Sequence, residues 1–226
     1  MLAAIGLSVS LFVMLAALAV AVVSYFLGCF NGAVIVSKYI LRDDVRTHGS
    51  GNAGLTNFYR TFGGPLTLVV ILTDVLKAVA AVLIGAHAAG LPALFSTDPA
   101  MTEMAFRYWA GLFCLLGHMF PCMFNFKGGK GILSGGVIAI MLNWQVALVV
   151  WGGFLILTVL TRYVSLGSCW AGASFPFATW FAFHNWVLTV LAIVIGGLIL
   201  WQHRGNIVRL VHGNENKFSF HRKKES

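Results

Sequence analysis

The first 37 residues of this chain contain no charged side chain, and further long apolar segments follow them. Only 10% of all residues are charged, whereas a soluble domain has about 25%. In a bilayer the backbone N–H and C=O groups must find partners within each apolar segment, which favours helices. The sequence therefore predicts an all-α, polytopic membrane protein and excludes an ordinary soluble domain.

We predict about seven transmembrane helices separated by polar or glycine-rich connections. A full crossing needs about 20 residues, so the shorter segments in the second half indicate tilted or interrupted helices. The predicted spans are about 14–37, 65–88, 105–124, 132–142, 146–161, 168–183 and 186–202. An alternative with five passes fuses residues 132–161 and 168–202 into two long helices.

The distribution of basic residues predicts the orientation. With seven spans and the N-terminus outside, 13 of the 15 lysines and arginines are cytoplasmic, as the positive-inside rule requires. The two exceptions are Lys77, within a span, and Arg107, near an outer end. The C-terminus is then cytoplasmic, whereas the five-pass alternative leaves Arg162 outside.

We predict a single integral-membrane domain over residues 1–226, with an apolar N-terminal extension at 1–13 and a basic cytoplasmic tail at 211–226. No basic region precedes the first apolar segment, so a cleaved signal peptide is not expected. The net charge of +8 fits cytoplasmic loops better than nucleic-acid binding. The four cysteines lack the spacing of a metal site or disulfide framework, and we predict no metal and no cofactor.

A glycine-rich loop at residues 49–57 lies between the first two predicted spans, and Arg60 follows it. Glycine lets backbone N–H groups approach a ligand closely, and successive inward N–H groups form an anion-binding nest. Arginine adds a fork suited to phosphate. The candidate phosphate-binding residues of this loop are Gly49, Ser50, Gly51, Asn52, Thr56 and Asn57. A flexible connection between helices is the alternative.

A second glycine loop, at residues 126–131, precedes the fourth predicted span. It is not a Walker phosphate loop, because Phe124 and Gly131 occupy the positions where that motif needs a glycine and a hydroxyl residue. It still places glycines and lysines at a helix N-terminus, which favours phosphate. The candidates are Lys127, Gly128, Gly129, Lys130 and Gly131. A basic loop with glycine breaks is the alternative.

Two further polar clusters adjoin apolar segments. Ser165 and Ser168 lie near the start of the sixth span. They are candidates for ligand contact, and helix capping is the alternative. His203, Arg204 and Asn206 follow the last span, as phosphate ligands or as a basic flank.

Three more polar side chains lie inside predicted spans. Asp74 and Lys77 are one helical turn apart, and such intramembrane charges are expected to pair or to face a polar cavity. His118 lies near the inner end of its helix, where we expect a structural role.

Together these motifs resemble those of the bacterial acyl-phosphate:glycerol-3-phosphate acyltransferases, the PlsY family. The similarity covers roughly residues 20–217. The first five motifs given next appear in the family's order, and the Asp74 and Gly213 motifs are also similar to that family. The motifs are Gly49-Ser50-Gly51-Asn52-x-Gly54-x-Thr56-Asn57, Gly117-His118-x-x-Pro121, Phe126-Lys127-Gly128-Gly129-Lys130-Gly131, Ser165-Leu166-Gly167, His203-Arg204-x-Asn206-Ile207-x-Arg209, Asp74-Val75-Leu76-Lys77 and Gly213-x-Glu215-x-Lys217.

The resemblance implies a multi-pass enzyme of the bacterial inner membrane with its motifs on the cytoplasmic side. Such an enzyme transfers an acyl group from acyl phosphate to the 1-hydroxyl of glycerol 3-phosphate, giving 1-acylglycerol 3-phosphate (lysophosphatidic acid) and phosphate. This is the first acylation of phospholipid synthesis. The expected partners are acyl phosphate, glycerol 3-phosphate and membrane lipid, without nucleic acid, and the oligomeric state stays open, a monomer included.

The chemistry suits these residue types. Acyl phosphate is already activated, so the enzyme mainly needs proximity and charge stabilisation. No histidine has an aspartate five positions later, so the His-x4-Asp signature of other acyltransferases is absent. We predict direct attack by the glycerol hydroxyl without an acyl-enzyme, with His203 or a substrate phosphate oxygen as base. The catalytic candidates are Ser50, Arg60, Lys130, His203 and Asn206.

The main rival interpretation is a membrane transporter for an organic phosphate, which would use the same basic loops and broken helices. Inverted repeats would favour it, and none is apparent. A membrane scaffold protein is disfavoured by the clustered glycines and phosphate-type groups.

Overall fold

The structure is a computed structural model that describes residues 2–218, with side chains from residue 10 onward. Within these residues there are helices and no strands, which confirms the all-α prediction. The last eight residues of the predicted basic tail, 219–226, lie outside the described part. The helices are α1 (Leu2–Cys29), α2 (Gly32–Ile35), α3 (Leu55–Thr61), α4 (Leu66–Ala88), α5 (Gly90–Leu94), α6 (Pro99–Met119), α7 (Ile132–Leu142), α8 (Trp144–Thr161), α9 (Val164–Phe183), α10 (Trp186–Gln202) and α11 (Arg204–Val211).

The first helix differs from its predicted bounds of 14–37. It begins at Leu2, so it includes most of the predicted apolar extension, and it ends at Cys29. The chain breaks there because Asn31 caps a new helix, its side-chain Oδ1 accepting from the Val34 N–H at 3.1 Å. Apolar periodicity alone did not show this interruption.

The third predicted span also lies further along the chain than the helix that forms. Helix α6 begins at Pro99, and the Asp98 carboxylate accepts from the Met101 N–H at 3.1 Å. Proline at the first helical position and aspartate at the cap are favourable start signals. The helix ends at Met119, because the chain turns at Phe120 and Pro121.

The short apolar segments in the second half fold back on one another as hairpins. Trp151 Nε1 of α8 donates to Gly136 O of α7 at 3.1 Å, and the backbones of Gly172 (α9) and Gly196 (α10) touch. The two fused helices of the five-pass alternative are therefore not formed.

Length and composition bound the number of membrane crossings. Three segments of the described chain are long and apolar enough to cross alone: Ser10–Ile40, Leu66–Leu94 and Trp144–Thr161. A fourth follows if α10 and α11, which meet at a 60° bend, are counted together. Helix α7 has 11 residues, too few to cross a full bilayer unaided.

Helices α1 and α6 approach each other closely through two glycines. A Cβ on Gly28 would lie 2.1 Å from Cys114 O, and one on Gly117 would lie 2.0 Å from Tyr25 O. Small residues at such a crossing let helix backbones pack in a membrane protein. This contact positions the end of α6, and with it the second glycine loop, beside the loop that follows α2.

Candidate active site

A cavity of about 340 Å³ lies where the polar loops meet at one end of the helices. It is bounded by the first glycine loop, the start of α7, the turn between α8 and α9, and the segment after α10. The predicted residues that line it are Ser50, Asn52, Thr56, Asn57, Arg60, Lys130, Gly131, Ser165, Ser168, His203 and Asn206. Segments distant in sequence thus supply a single site.

Asn57 holds the first glycine loop in shape. Its Oδ1 accepts from the Ser50 N–H at 3.0 Å, and its Nδ2 donates to three backbone carbonyls, those of residues 45, 48 and 52. Gly49 has φ +54°, and a Cβ there would lie 2.4 Å from Asn57 Oδ1. The Asn57 amide is therefore fully used within the loop and is not free to bind phosphate as predicted. Gly49 and Gly51 shape the loop outside the cavity lining.

The two glycine loops pack directly against each other. A Cβ on Gly129 would lie 2.9 Å from Ala53 O of the first loop and 2.2 Å from His118 Nε2. The N–H groups of Gly128 and Gly129 donate to the carbonyls of Met119 and His118, both at 3.1 Å. The predicted role of these two N–H groups as phosphate donors is not supported by this arrangement, because both already have partners. These glycines permit close packing instead.

A chain of polar contacts crosses the cavity wall. Lys130 Nζ donates to Asn206 Oδ1, and Asn206 Nδ2 donates to Glu215 Oε1 at 2.8 Å. Arg209 Nε closes the chain with a 2.8 Å contact to Glu215 Oε2. The Lys130 ammonium is thus oriented by a neutral amide. The nearby carboxylate of Glu215 neutralises Arg209 and not Lys130.

The electrostatics of this wall favour an anion. Burial, with the positive charge of Arg209, lowers the pKa of Lys130 from its ordinary value to about 8. A phosphate close to Nζ would compensate this cost by stabilising the cation. Arg60 is exposed and lines the same cavity, and among the described side chains it forms no ion pair.

His203 lies between α10 and α11 and is 4% exposed. Its Nδ1–H donates to Ile199 O at 2.8 Å, which leaves the Nε2 lone pair as an acceptor. Burial lowers the pKa of His203 to about 4. The ring is therefore neutral near pH 7, with Nε2 free to accept a hydrogen bond, and the same burial lowers its basicity.

The two serines of α9 differ in their availability. Ser165 is buried, lines the cavity, and its Oγ has no hydrogen-bond partner among the described residues. Ser168 Oγ donates back to Val164 O at 2.9 Å. Ser165 is therefore the hydroxyl of this pair that remains free for a ligand.

Two predicted basic residues do not line the cavity. Lys127 is exposed on the glycine loop. Arg204 packs its guanidinium 4.7 Å from the centroid of the Trp201 ring and donates to the Trp201 carbonyl at 2.9 Å. Sequence proximity placed both in the motifs, but neither faces the ligand space in this conformation.

Four cavity residues were not predicted as ligands. Asp74, which was expected to pair or to face a polar cavity, does both: it pairs with Lys77 and lines the cavity beside His118. Arg209 and Glu215 complete the wall around Asn206. The motif around Glu215 was visible in the sequence. Its contact with Asn206 was not, because it depends on how the chain turns after α11.

An apolar groove with a free volume of only about 20 Å³ adjoins the polar cavity. Three residues, Ile132, Trp151 and Phe154, line both spaces. The groove continues between α7, α8, α9 and α10, past side chains such as Phe175 and Ile199. The cationic cavity suits a phosphate group, and the apolar side chains beside it suit by their chemistry the start of a hydrocarbon chain.

The apolar helices and the cationic cavity at their end are the features of an integral membrane protein with a site for phosphorylated ligands. More specifically, the chain belongs to the glycerol-3-phosphate acyltransferase family, whose model matches residues 18–213. The predicted family membership is thus confirmed, and the chain is an acyltransferase.

Named relatives agree over nearly the whole chain. The glycerol-3-phosphate acyltransferase of Thermoanaerobacter pseudethanolicus is 34% identical, covering 87% of this chain and 93% of the relative. That of Chlorobaculum tepidum is 35% identical, covering 93% of this chain and 100% of the relative.

Solved structures of PlsY, an integral membrane glycerol 3-phosphate acyltransferase, have the same fold. The glycerol 3-phosphate form superposes with a TM-score of 0.78 at 33% identity, over 90% of this chain and 96% of that one. The lysophosphatidic acid form gives 0.75 at 32% identity, over 90% and 95%.

Proposed function

We propose that this protein transfers an acyl group from acyl phosphate to the 1-hydroxyl of glycerol 3-phosphate, releasing 1-acylglycerol 3-phosphate and inorganic phosphate. The carrying observation is the polar cavity with Arg60 and Lys130 that opens onto an apolar groove. Both substrates bring a phosphate, and one brings a long chain. We place the phosphate groups in the cavity and the acyl chain along the apolar side chains of the groove, whose free volume of about 20 Å³ must widen to admit it.

The roles follow from the contacts. Lys130, held by Asn206, and Arg60 bind phosphate oxygens, and the Ser50 and Ser165 hydroxyls add neutral donors. Thr56 and Asn52 complete the lining beside Ser50. Charged donors in a partly desolvated site stabilise the charge that develops on the reacting oxygens.

The reaction is a single displacement. The 1-hydroxyl oxygen attacks the acyl carbonyl carbon, the C–O bond to phosphate breaks, and the hydroxyl proton passes to a base. His203 Nε2 is an acceptor in the cavity wall, and a phosphate oxygen is the other candidate for this base. The second product leaves as inorganic phosphate, which remains bound to the cations until release.

The direct test is an assay of purified protein with acyl phosphate and glycerol 3-phosphate, using acyl-CoA as the donor control. Formation of lysophosphatidic acid only from acyl phosphate supports the proposal. Transport is the rival, and protein in sealed vesicles would then accumulate glycerol 3-phosphate without forming product. That result would overturn the proposal.

We also infer seven membrane crossings, with the N-terminus outside and the C-terminus and cavity on the cytoplasmic side of the inner membrane. The cavity draws on the segments after α1, after α6, between α8 and α9, and after α10. These segments share one side if α4, α6, α7, α8, α9 and α10 each cross in turn, and that side carries the basic residues.

Site-directed labelling tests this topology. In a background without native cysteines, cysteine at positions 127 and 162 should react only with reagent supplied from the cytoplasm, and cysteine at 98 only from outside. All three positions are exposed on loops. Labelling of position 162 from outside would contradict the seven-pass orientation.

The lowered pKa of Lys130 predicts a pH dependence of substrate binding. Below about pH 8 the free enzyme carries the Lys130 cation, and its affinity for the phosphate dianion is at its highest. Bound phosphate raises this pKa, so KM should rise as pH increases above about 8, by up to about tenfold per pH unit.

The measurement is the KM for glycerol 3-phosphate between about pH 7 and about pH 9.5, where the substrate phosphate stays dianionic. Lys130→Arg is the control, because arginine remains charged throughout this range. A KM that rises equally in that variant would assign the ionisation to another group.

A further inference from the structure

A buried cluster of three ionisable side chains lies at the floor of the cavity. Asp74, Lys77 and His118 are all at most 5% exposed. Lys77 Nζ lies 2.7 Å from Asp74 Oδ1, 2.7 Å from His118 Nδ1 and 3.1 Å from Phe30 O. An ammonium group has three N–H donors and no acceptor. Two of them donate to His118 Nδ1 and Phe30 O, and the Asp74 carboxylate balances the charge as an ion pair.

This arrangement fixes the tautomer of His118. Lys77 can only donate, so His118 Nδ1 must accept, and the ring proton then lies on Nε2. A proton on Nδ1 directed at Asp74 Oδ1 would have to span 3.5 Å, beyond ordinary hydrogen-bond length. The imidazole is therefore neutral, with its only N–H on the side opposite Lys77.

That side of the ring packs against the second glycine loop, next to the cavity. Nε2 lies 2.2 Å from where a Gly129 Cβ would be, and Cδ2 lies 3.9 Å from where a Gly131 Cβ would be. His118 is part of the cavity lining. Among the described residues Nε2–H has no hydrogen-bond partner, although only 2% of the His118 surface is exposed.

The ion pair beneath the ring makes this floor suitable for an anion. Asp74 also lines the cavity, and an unpaired carboxylate there would repel phosphate. The 2.7 Å contact with Lys77 neutralises it. Lys77 thus neutralises a repulsive charge. By binding His118 Nδ1 it also directs the Nε2–H of His118 away from the ion pair.

We propose that His118 is a further substrate-binding residue, whose Nε2–H donates to a phosphate oxygen at the cavity floor, and that Lys77 is the positioning residue that sets its tautomer. The inference rests on the proposed function in that the ligand is a substrate phosphate. Gly129 is required because any side chain there would occupy the space beside Nε2.

The test compares two variants of matched length, His118→Gln and His118→Met. Glutamine can accept from Lys77 through its oxygen and donate into the cavity through its amide N–H, whereas methionine can do neither. We expect His118→Met to raise the KM of one substrate by about ten- to hundredfold, the range for a hydrogen bond to a charged group. His118→Gln should recover most of this loss, and the substrate affected shows whose phosphate is bound.

Thr179→Val is the control for a lost buried hydrogen bond remote from the cavity, since Thr179 Oγ1 pairs with Tyr108 OH at 2.9 Å. Its KM should stay at the wild-type value. Equal impairment of folded Gln and Met variants, or wild-type KM in His118→Met, would overturn the inference. If His118→Met does not fold, the test rests on His118→Gln. A folded His118→Gln variant with a strongly raised KM would then overturn the inference.

Thermal shifts induced by inorganic phosphate and by glycerol 3-phosphate separate this inference from the proposed function. They report binding without turnover. Wild-type protein that is stabilised by phosphate but transfers no acyl group would refute the proposed function, while loss of the shift in His118→Met and its return in His118→Gln would still support the inference.

Discussion

Replacing Arg60 or Lys130 with alanine is expected to remove about 2–5 kcal/mol of transition-state stabilisation as measured by kcat/KM, the range for truncating one partner of a hydrogen-bonded charge pair that bound substrate encloses. This corresponds to about 30-fold to several thousandfold. Both side chains line the cavity, and the neutral Asn206 amide directs Lys130. Steady-state kinetics for both substrates would measure the loss.

The chain supplies matched controls for this prediction. Lys127→Ala and Arg204→Ala each remove a neighbouring positive charge that does not line the cavity, so both should stay within a few-fold of wild type. Wild-type kcat/KM in the Arg60 and Lys130 variants, with loss in the two controls, would place the phosphate on the other face of the loops.

Arg60→Lys separates charge from geometry. Lysine retains the positive charge but presents a point donor instead of a planar fork. We therefore expect only partial recovery of kcat/KM relative to Arg60→Ala. Full recovery would show that Arg60 acts at a distance through its charge alone.

The helices and loops were accessible from the sequence because each depends on local pattern. Apolar runs located every long helix, and the glycine and basic residues between them located the loops that form the cavity. The end of α1 at Cys29 was missed, because Asn31 interrupts an apolar run through a single side-chain cap. Local composition does not register such a break.

The roles inside the loops were less accessible, because they depend on which groups meet. Asn57 looks like a ligand in the motif, yet its amide is used to hold the backbone of its own loop. Gly128 looks like an anion donor, yet its N–H binds Met119 O. Conversely, His118 looked structural until Lys77 and Gly129 were placed on either side of its ring.

We expect the reaction to proceed without an acyl-enzyme intermediate. Within the described residues neither Ser50 nor Ser165 is hydrogen-bonded to a histidine or a carboxylate, as an activated nucleophile would be. Removing a true nucleophile costs on the order of a millionfold in kcat. Removing one hydrogen-bond donor to a charged ligand costs about 10- to 150-fold.

We therefore expect Ser50→Ala and Ser165→Ala to lose activity only within that smaller range. Kinetics with both substrates varied should be sequential, since the glycerol hydroxyl must be bound when the acyl phosphate reacts. Intact-mass measurement of protein incubated with acyl phosphate alone should show no acyl adduct, because the donor is already activated and a covalent intermediate would remove little of the barrier. Ping-pong kinetics, or an adduct on either serine that glycerol 3-phosphate discharges, would make that serine the nucleophile and Lys130 and Arg60 the stabilisers of its intermediate.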